Sequence, residues 1–229
     1  MKYLLLYLIP LTLLTTSAQS EEWNHEVHGS FPVFFTFIDT DGGEQGMRVM
    51  SGFNPANVTV TSRAPKQGKY EVSATMQINS HLQGSQVQNS GLFESRVADI
   101  QINGDFGQLN IGKGFGIFNS NAIGDVGSGK GVGHIPGGAD RANATNGHIG
   151  TGYVYANFNP RIIYSRSSGS NMDYKFGIFN PEEPANGGGV ETALPRFEGQ
   201  LTMKMGTHSY WAGFMFQKIE ATAEDYNIQ

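Results

Sequence analysis

The sequence predicts an all-β, antiparallel chain, and three observations carry the prediction. Segments beyond Glu22 alternate polar and apolar residues with a period of two, they are bounded by Gly, Asn and Pro, and no convincing amphipathic helix interrupts them. The connections between these segments alternate short and long. Short turns on one rim and long loops on the other characterise transmembrane barrels, in which only every second side chain meets lipid.

The N-terminus comes first. MKYLLLYLIPLTLLTTSAQSEEW carries one cation at Lys2, an apolar run from Tyr3 to Leu14 and small residues before an acidic start, the layout of a secretory signal peptide. The run is short and broken by Pro10, so residues 1–20 read as an export signal cleaved after Ala18 or Ser20, and 21–229 as one β unit. Without Lys2 the chain has fourteen Lys and Arg against twenty Asp and Glu, a net charge of −6, which argues against nucleic acid as a partner. Cysteine is absent, so there is neither a disulfide framework nor a thiolate metal site.

Nine strands are then expected, over Glu26–Ile38, Asn57–Arg63, Lys69–Asn79, Glu94–Ile102, Gln108–Phe115, Arg161–Ser167, Met172–Phe179, Arg196–Met205 and Ser209–Ile219. RFEGQLTMKM shows the code: Arg196, Glu198, Gln200, Thr202 and Lys204 share one face, and Phe197, Gly199, Leu201, Met203 and Met205 the other. KYEVSATMQIN does the same from Lys69 to Asn79. APKQG, NGDFG, SGSN and GTH are the short turns after the even-numbered strands. A different reading of the first hairpin makes MRVMSG a strand of its own with NPAN as its turn, which would shift the parity.

Twelve glycines fall from Gly114 to Gly152, and GDVGSGKG from Gly124 to Gly131 comes near a nucleotide-binding P-loop. Gly131 stands where the metal-binding Ser or Thr belongs, and GVGHIPGG cannot continue as the helix that a phosphate cradle requires. An exported protein also has no nucleoside triphosphate to bind.

From Phe93 to Asn119, FESRVADIQINGDFGQLNIGKGFGIFN resembles the general porins of Gram-negative bacteria, in which such a hairpin leads by a Gly-basic pair into the third loop. The resemblance covers Glu26 to Glu220 in the order and type of elements and is sharpest over Phe93 to Pro184. It implies a third loop, here Gly116 to about Phe158, that folds into the barrel and narrows a channel. It also implies a homotrimer in the outer membrane, with lipid around it and small hydrophilic solutes and ions passing through. Glycines suit such a loop because its backbone must turn tightly in a confined space, and non-helical backbone at membrane depth is tolerated where it lines water.

The candidate constriction residues are Asp125, Lys130, Asp140 and Arg141, with His134 and His148 able to add charge. Lys113 matches the position of a family wall cation, although strict alternation from Leu109 and Ile111 aims it at lipid unless Gly112 forms a bulge. Arg63, Arg161 and Arg196 fall on water-facing phases as further wall cations, or as strand-end charges that meet headgroups. Arg96 shares its phase with Ala98, Ile100 and Ile102. His25 and His28 are one residue short of the H-E-x-x-H zinc spacing and point to opposite faces of a strand, so no metal or cofactor is expected. No G-x-S-x-G elbow marks a nucleophile, so the chain is not expected to be an enzyme. Trp23, Phe31, Phe34, Phe35, Tyr210, Trp211, Phe214 and Phe216 read as girdle and lipid-contact aromatics.

Nine is an odd number, and a sixteen-strand barrel at this spacing would need about 350 residues, so the sequence is expected to be the N-terminal portion of such a barrel. Two readings stand beside the diffusion channel. A secreted β-rich binding protein would be recovered in the soluble fraction, and an outer-membrane hydrolase would need an inward Ser or Asp beside His.

Overall fold

The computed structural model describes residues 22–39, 45–50, 55–80, 94–122, 154–169, 171–182 and 194–218. Eleven strands are present: β1 (Asn24–Ser30), β2 (Phe34–Asp39), β3 (Gln45–Met50), β4 (Ala56–Arg63), β5 (Glu71–Ser80), β6 (Glu94–Gly104), β7 (Gly107–Phe115), β8 (Phe158–Ser167), β9 (Met172–Phe179), β10 (Arg196–Met205) and β11 (His208–Phe216). There is no helix among the described residues. Nine strands form one antiparallel sheet in the order β1-β4-β5-β6-β7-β8-β9-β10-β11, and β2 and β3 pair separately.

The first expected strand is corrected. Instead of running from Glu26 to Ile38 it breaks at Phe31–Val33, where Pro32 has no N–H to give a ladder. Beyond the break, Phe34–Asp39 pairs with Gln45–Met50, so the MRVM segment is indeed a strand, yet not one of the main sheet. Because β1 pairs directly with β4, with Val27 opposite Val60, the hairpin is an excursion within the first long connection and the parity of the sheet is preserved. The other strands fall within a few residues of their expected bounds. Each short turn contains a glycine with positive φ, namely Gly68, Gly107, Gly169 and Gly206, the backbone region in which a β-carbon is penalised. On this rim Lys66 donates to Glu71 (2.8 Å) and Lys69 pairs with Asp105 (3.0 Å); the carboxylates raise both ammonium pKa values above their ordinary range.

Register turns the period-two code into two chemically opposed faces. One row across seven strands reads Ala74, Ile100, Ile111, Ile162, Ile178, Phe197, Phe216. Most of these side chains are exposed, as are Met76, Phe176, Leu201 and Met203 on the same face. The alternate row reads Glu26, Thr61, Thr75, Asp99, Gly112, Arg161, Phe179, Arg196. Consecutive residues of a strand face opposite ways, which corrects the girdle grouping. Tyr210, Phe214 and Phe216 share the apolar phase, whereas Trp211 pairs with Thr202 on the polar one.

Candidate functional site

The polar face breaks its own code at two places. Ile163, the second of two adjacent isoleucines, has the phase of Arg161, and Phe179 lies between Arg161 and Arg196 in the same row. Both are buried, and the residue that buries them is Ile117, just past the end of β7. Gly177 keeps the space open: a β-carbon there would lie 3.1 Å from the Ile117 side chain and 2.6 Å from the Phe179 ring. The root of the long β7–β8 connection is thus packed onto the polar face over β8 and β9.

Electrostatic contacts fix the same root. Glu198, 1% exposed, accepts hydrogen bonds through Oε2 from the backbone N–H groups of Ile117 (2.6 Å) and Phe118 (2.9 Å). Its Oε1 stands 2.9 Å from Arg196 Nε, a charge contact rather than an aligned hydrogen bond. The Arg196 guanidinium lies 5.2 Å from the Phe179 ring centroid, and its Nη1 reaches Glu182 at 3.1 Å. Glu182 also accepts from Asn157 and Asn159 (2.7 Å each), which ties the far end of the connection to the same cluster. Gly116 N–H donates to Asn157 O at 2.9 Å, so the two roots bond to each other. A carboxylate accepting two backbone donors while paired with an arginine satisfies the condition for burying charge, which is costly when unpaired.

Arg161 forms the second cluster. Its Nη2 donates to Asp99 Oδ2 (2.9 Å), which also accepts from Asn110 (3.0 Å), itself an acceptor for Gln108 (2.5 Å). The Arg161 guanidinium occupies the space where a β-carbon of Gly114 would sit, so the alternating glycines of GKGFG form a trough on the polar face and an arginine fills it.

Each arginine expected on the wall therefore carries carboxylate partners: Arg63 with Glu26 (2.5 Å) at the short-turn rim, Arg161 with Asp99, and Arg196 with Glu198 and Glu182. Sequence reasoning placed Glu198 on the water-facing phase but missed its partners, and it missed Asp99 and Glu182 altogether. Asp99 was open to the same counting, since it shares a phase with Val97 and Gln101. Lys113 lies opposite Ala98 and Pro160 in an uninterrupted ladder through Gly112, so there is no bulge and the register gives it the phase of Ile111. Arg96 is the extra residue where the β5–β6 register shifts between Gln77 and Ile78. Asp125, Lys130, Asp140 and Arg141, like His134, His148 and the signal segment, lie outside the described residues. His25 and His28 fall on opposite faces, with His25 bonded to Ser62 (2.9 Å) and His28 near Glu26 (3.3 Å).

No protein-family model and no curated protein matches the sequence. Among solved structures, the chain is similar to the anion-selective porin from Comamonas acidovorans, with a TM-score of 0.59 and 14% identity over 87% of this chain and 59% of that one. OmpT, an outer membrane protein of Vibrio cholerae, matches in a loop L8 deletion form with a TM-score of 0.47 and 11% identity, over 89% of this chain and 72% of that one. Its in-vitro folded trimer form matches with a TM-score of 0.46 and 9% identity, over 89% and 68%. The chain thus spans less than two thirds of the Comamonas porin's length. At such identity the likeness concerns architecture: the nine-stranded antiparallel sheet shares the all-β, antiparallel-sheet architecture of these outer-membrane β-barrels.

Proposed function

We propose that this chain forms the wall of a water-filled channel in the outer membrane, through which ions and small hydrophilic solutes diffuse passively and no bond is made or broken. One observation carries the reading: the third long connection is anchored at both roots on the polar face by Glu198, Arg196 and Glu182, while the opposite face presents a continuous apolar row to its surroundings. A soluble sandwich would bury that apolar row under a second layer, and a barrel in lipid leaves it facing hydrocarbon.

The wall arginines are matched by four acids, Glu26, Asp99, Glu182 and Glu198, so the described wall is close to neutral. Ion preference is then assigned to the third connection, with Asp125, Lys130, Asp140 and Arg141 as its charges, because fixed charges at a narrow point are little screened by salt. The resemblance to general porins supports export through a cleaved signal and assembly as a homotrimer. The test is reconstitution in a planar bilayer, with stepwise, long-lived conductance as the expected result. A bilayer that stays closed through repeated insertion of folded protein would overturn the reading.

A further inference from the structure

Two cations near the long-loop rim, Lys113 and Arg96, lie on the other side of the sheet from the polar wall. Lys113 lies in the row Met76, Ala98, Lys113, Pro160, whose neighbours Ala98 and Pro160 are exposed on the apolar face. Arg96 is the inserted residue of β6, and its guanidinium reaches across β7 on this face to lie 5.5 Å from the centroid of the Phe158 ring. Phe158 is directly opposite Phe115, their rings 5.0 Å apart, and Tyr155 meets Phe115 edge-on at 5.7 Å. Lys113 precedes the end of β7 by two residues, so it stands about 7 Å below the long-loop rim. Cations and aromatics at this depth mark a headgroup level. At the same rim, across β8 and β9, is a groove of about 520 Å³ bordered by Ile111, Pro160, Ile162, Ile178, Leu194 and Pro195 and touched by Arg161 and Phe179 of the polar row.

We propose that this corner of the apolar face is a binding site for one phosphate-bearing lipid. The phosphate is held by Lys113 and Arg96, and an acyl chain lies in the groove along Ile111, Ile162 and Ile178. Charge complementarity selects the occupant: an apolar groove alone takes any acyl chain, whereas two cations at its mouth favour an anionic headgroup. Glu94 takes part of Arg96 through a 3.2 Å contact with its Nε, which makes Lys113 the stronger determinant. The bulge at Gln77/Ile78 accommodates Arg96 as an inserted residue on β6. The proposal rests on the membrane-barrel reading.

The full chain is reconstituted in nanodiscs of equal parts phosphatidylglycerol and phosphatidylcholine, and lipid retained after detergent transfer is identified by native mass spectrometry. Wild type is expected to retain phosphatidylglycerol over phosphatidylcholine at least fivefold. The double variant Arg96→Gln, Lys113→Gln is expected to bring the ratio near one, Lys113→Arg to preserve it, and Ile162→Trp to reduce retention of both lipids by filling the groove. A wild-type ratio near one, or a ratio unchanged in the double variant, overturns the proposal. So does a cross-link between copies at Lys113 with lipid excluded, which would assign the face to a subunit contact. Bilayer conductance of the same preparation separates the two claims: a conducting protein without lipid preference refutes the site and leaves the channel, while failure to insert refutes both.

Discussion

Glu198→Gln isolates the contact that holds the third connection on the wall. The carboxylate makes two charge-assisted bonds to backbone N–H groups and faces Arg196 with its other oxygen. A glutamine can keep its oxygen toward Ile117 and Phe118, but its NH₂ group then confronts the Arg196 guanidinium, and both backbone bonds fall to neutral strength. Each such bond loses about 1 kcal/mol, the difference between charged and neutral hydrogen bonds. Breaking a buried ion pair costs about 3–5 kcal/mol when one charge is left alone, but here Arg196 keeps Glu182, so the pair's loss falls below that range, to about 1 kcal/mol, and the total is about 3 kcal/mol. That corresponds to roughly a hundredfold shift in the ratio of docked to undocked root, since each 1.4 kcal/mol is tenfold. Single-channel recording should show more frequent conductance fluctuations, and unfolding in urea should shift to lower denaturant. A double-mutant cycle with Arg196→Gln should give a coupling of at least about 0.5 kcal/mol, as expected for residues in one network. Wild-type fluctuation rates together with a wild-type urea midpoint would show that Glu198 does not anchor the loop.

Further variants test the faces and the constriction. Leu201→Arg puts a cation on the apolar row between Tyr174 and Ala212 and should cost about 2–4 kcal/mol at the bilayer midplane, whereas Thr202→Arg faces Asp173 and should assemble nearly normally in a heat-modifiability gel assay; equal assembly would refute the register. Converting Asp125 and Asp140 together to Lys should move the reversal potential in a salt gradient toward anions, and deleting Asn121 to Gly138 should raise single-channel conductance; unchanged values in inserted variants would place this loop outside the channel.

Period two made β4 to β11 legible within a few residues, because each strand has one wet and one apolar face and turn residues stand between them. What the alternation hid was pairing. Pro32 marks the break that the single-strand reading of Glu26–Ile38 passed over, and only the ladder shows that Phe34–Asp39 turns back onto Gln45–Met50. The phase of Arg96 depends on a register shift against β5, and a register is a property of two strands. For Arg161 and Arg196 the sequence indicated the side, yet their neutralisation by Asp99 and Glu182 joins residues distant along the chain. The two lapses in alternation on the polar face, Ile163 and Phe179, were the most informative signal overlooked. An apolar residue on a wet wall needs something to cover it, and Ile117 does.

The alternation of short and long connections bears on how such a wall can be built. Every neighbour in the main sheet except the β1–β4 pair is also the next strand in sequence, and the hairpins β4–β5, β6–β7, β8–β9 and β10–β11 close over short turns. These hairpins can zip from their turns at little entropic cost, while closing β7 on β8 over about forty residues costs roughly 2 kcal/mol more than over four. Assembly by successive addition of preformed hairpins is therefore the cheap route, with each long connection left at the seam between two of them. The anchoring of the third connection by Glu198 must come late in that order, since β10 joins the sheet only after β8 and β9 have bridged the gap.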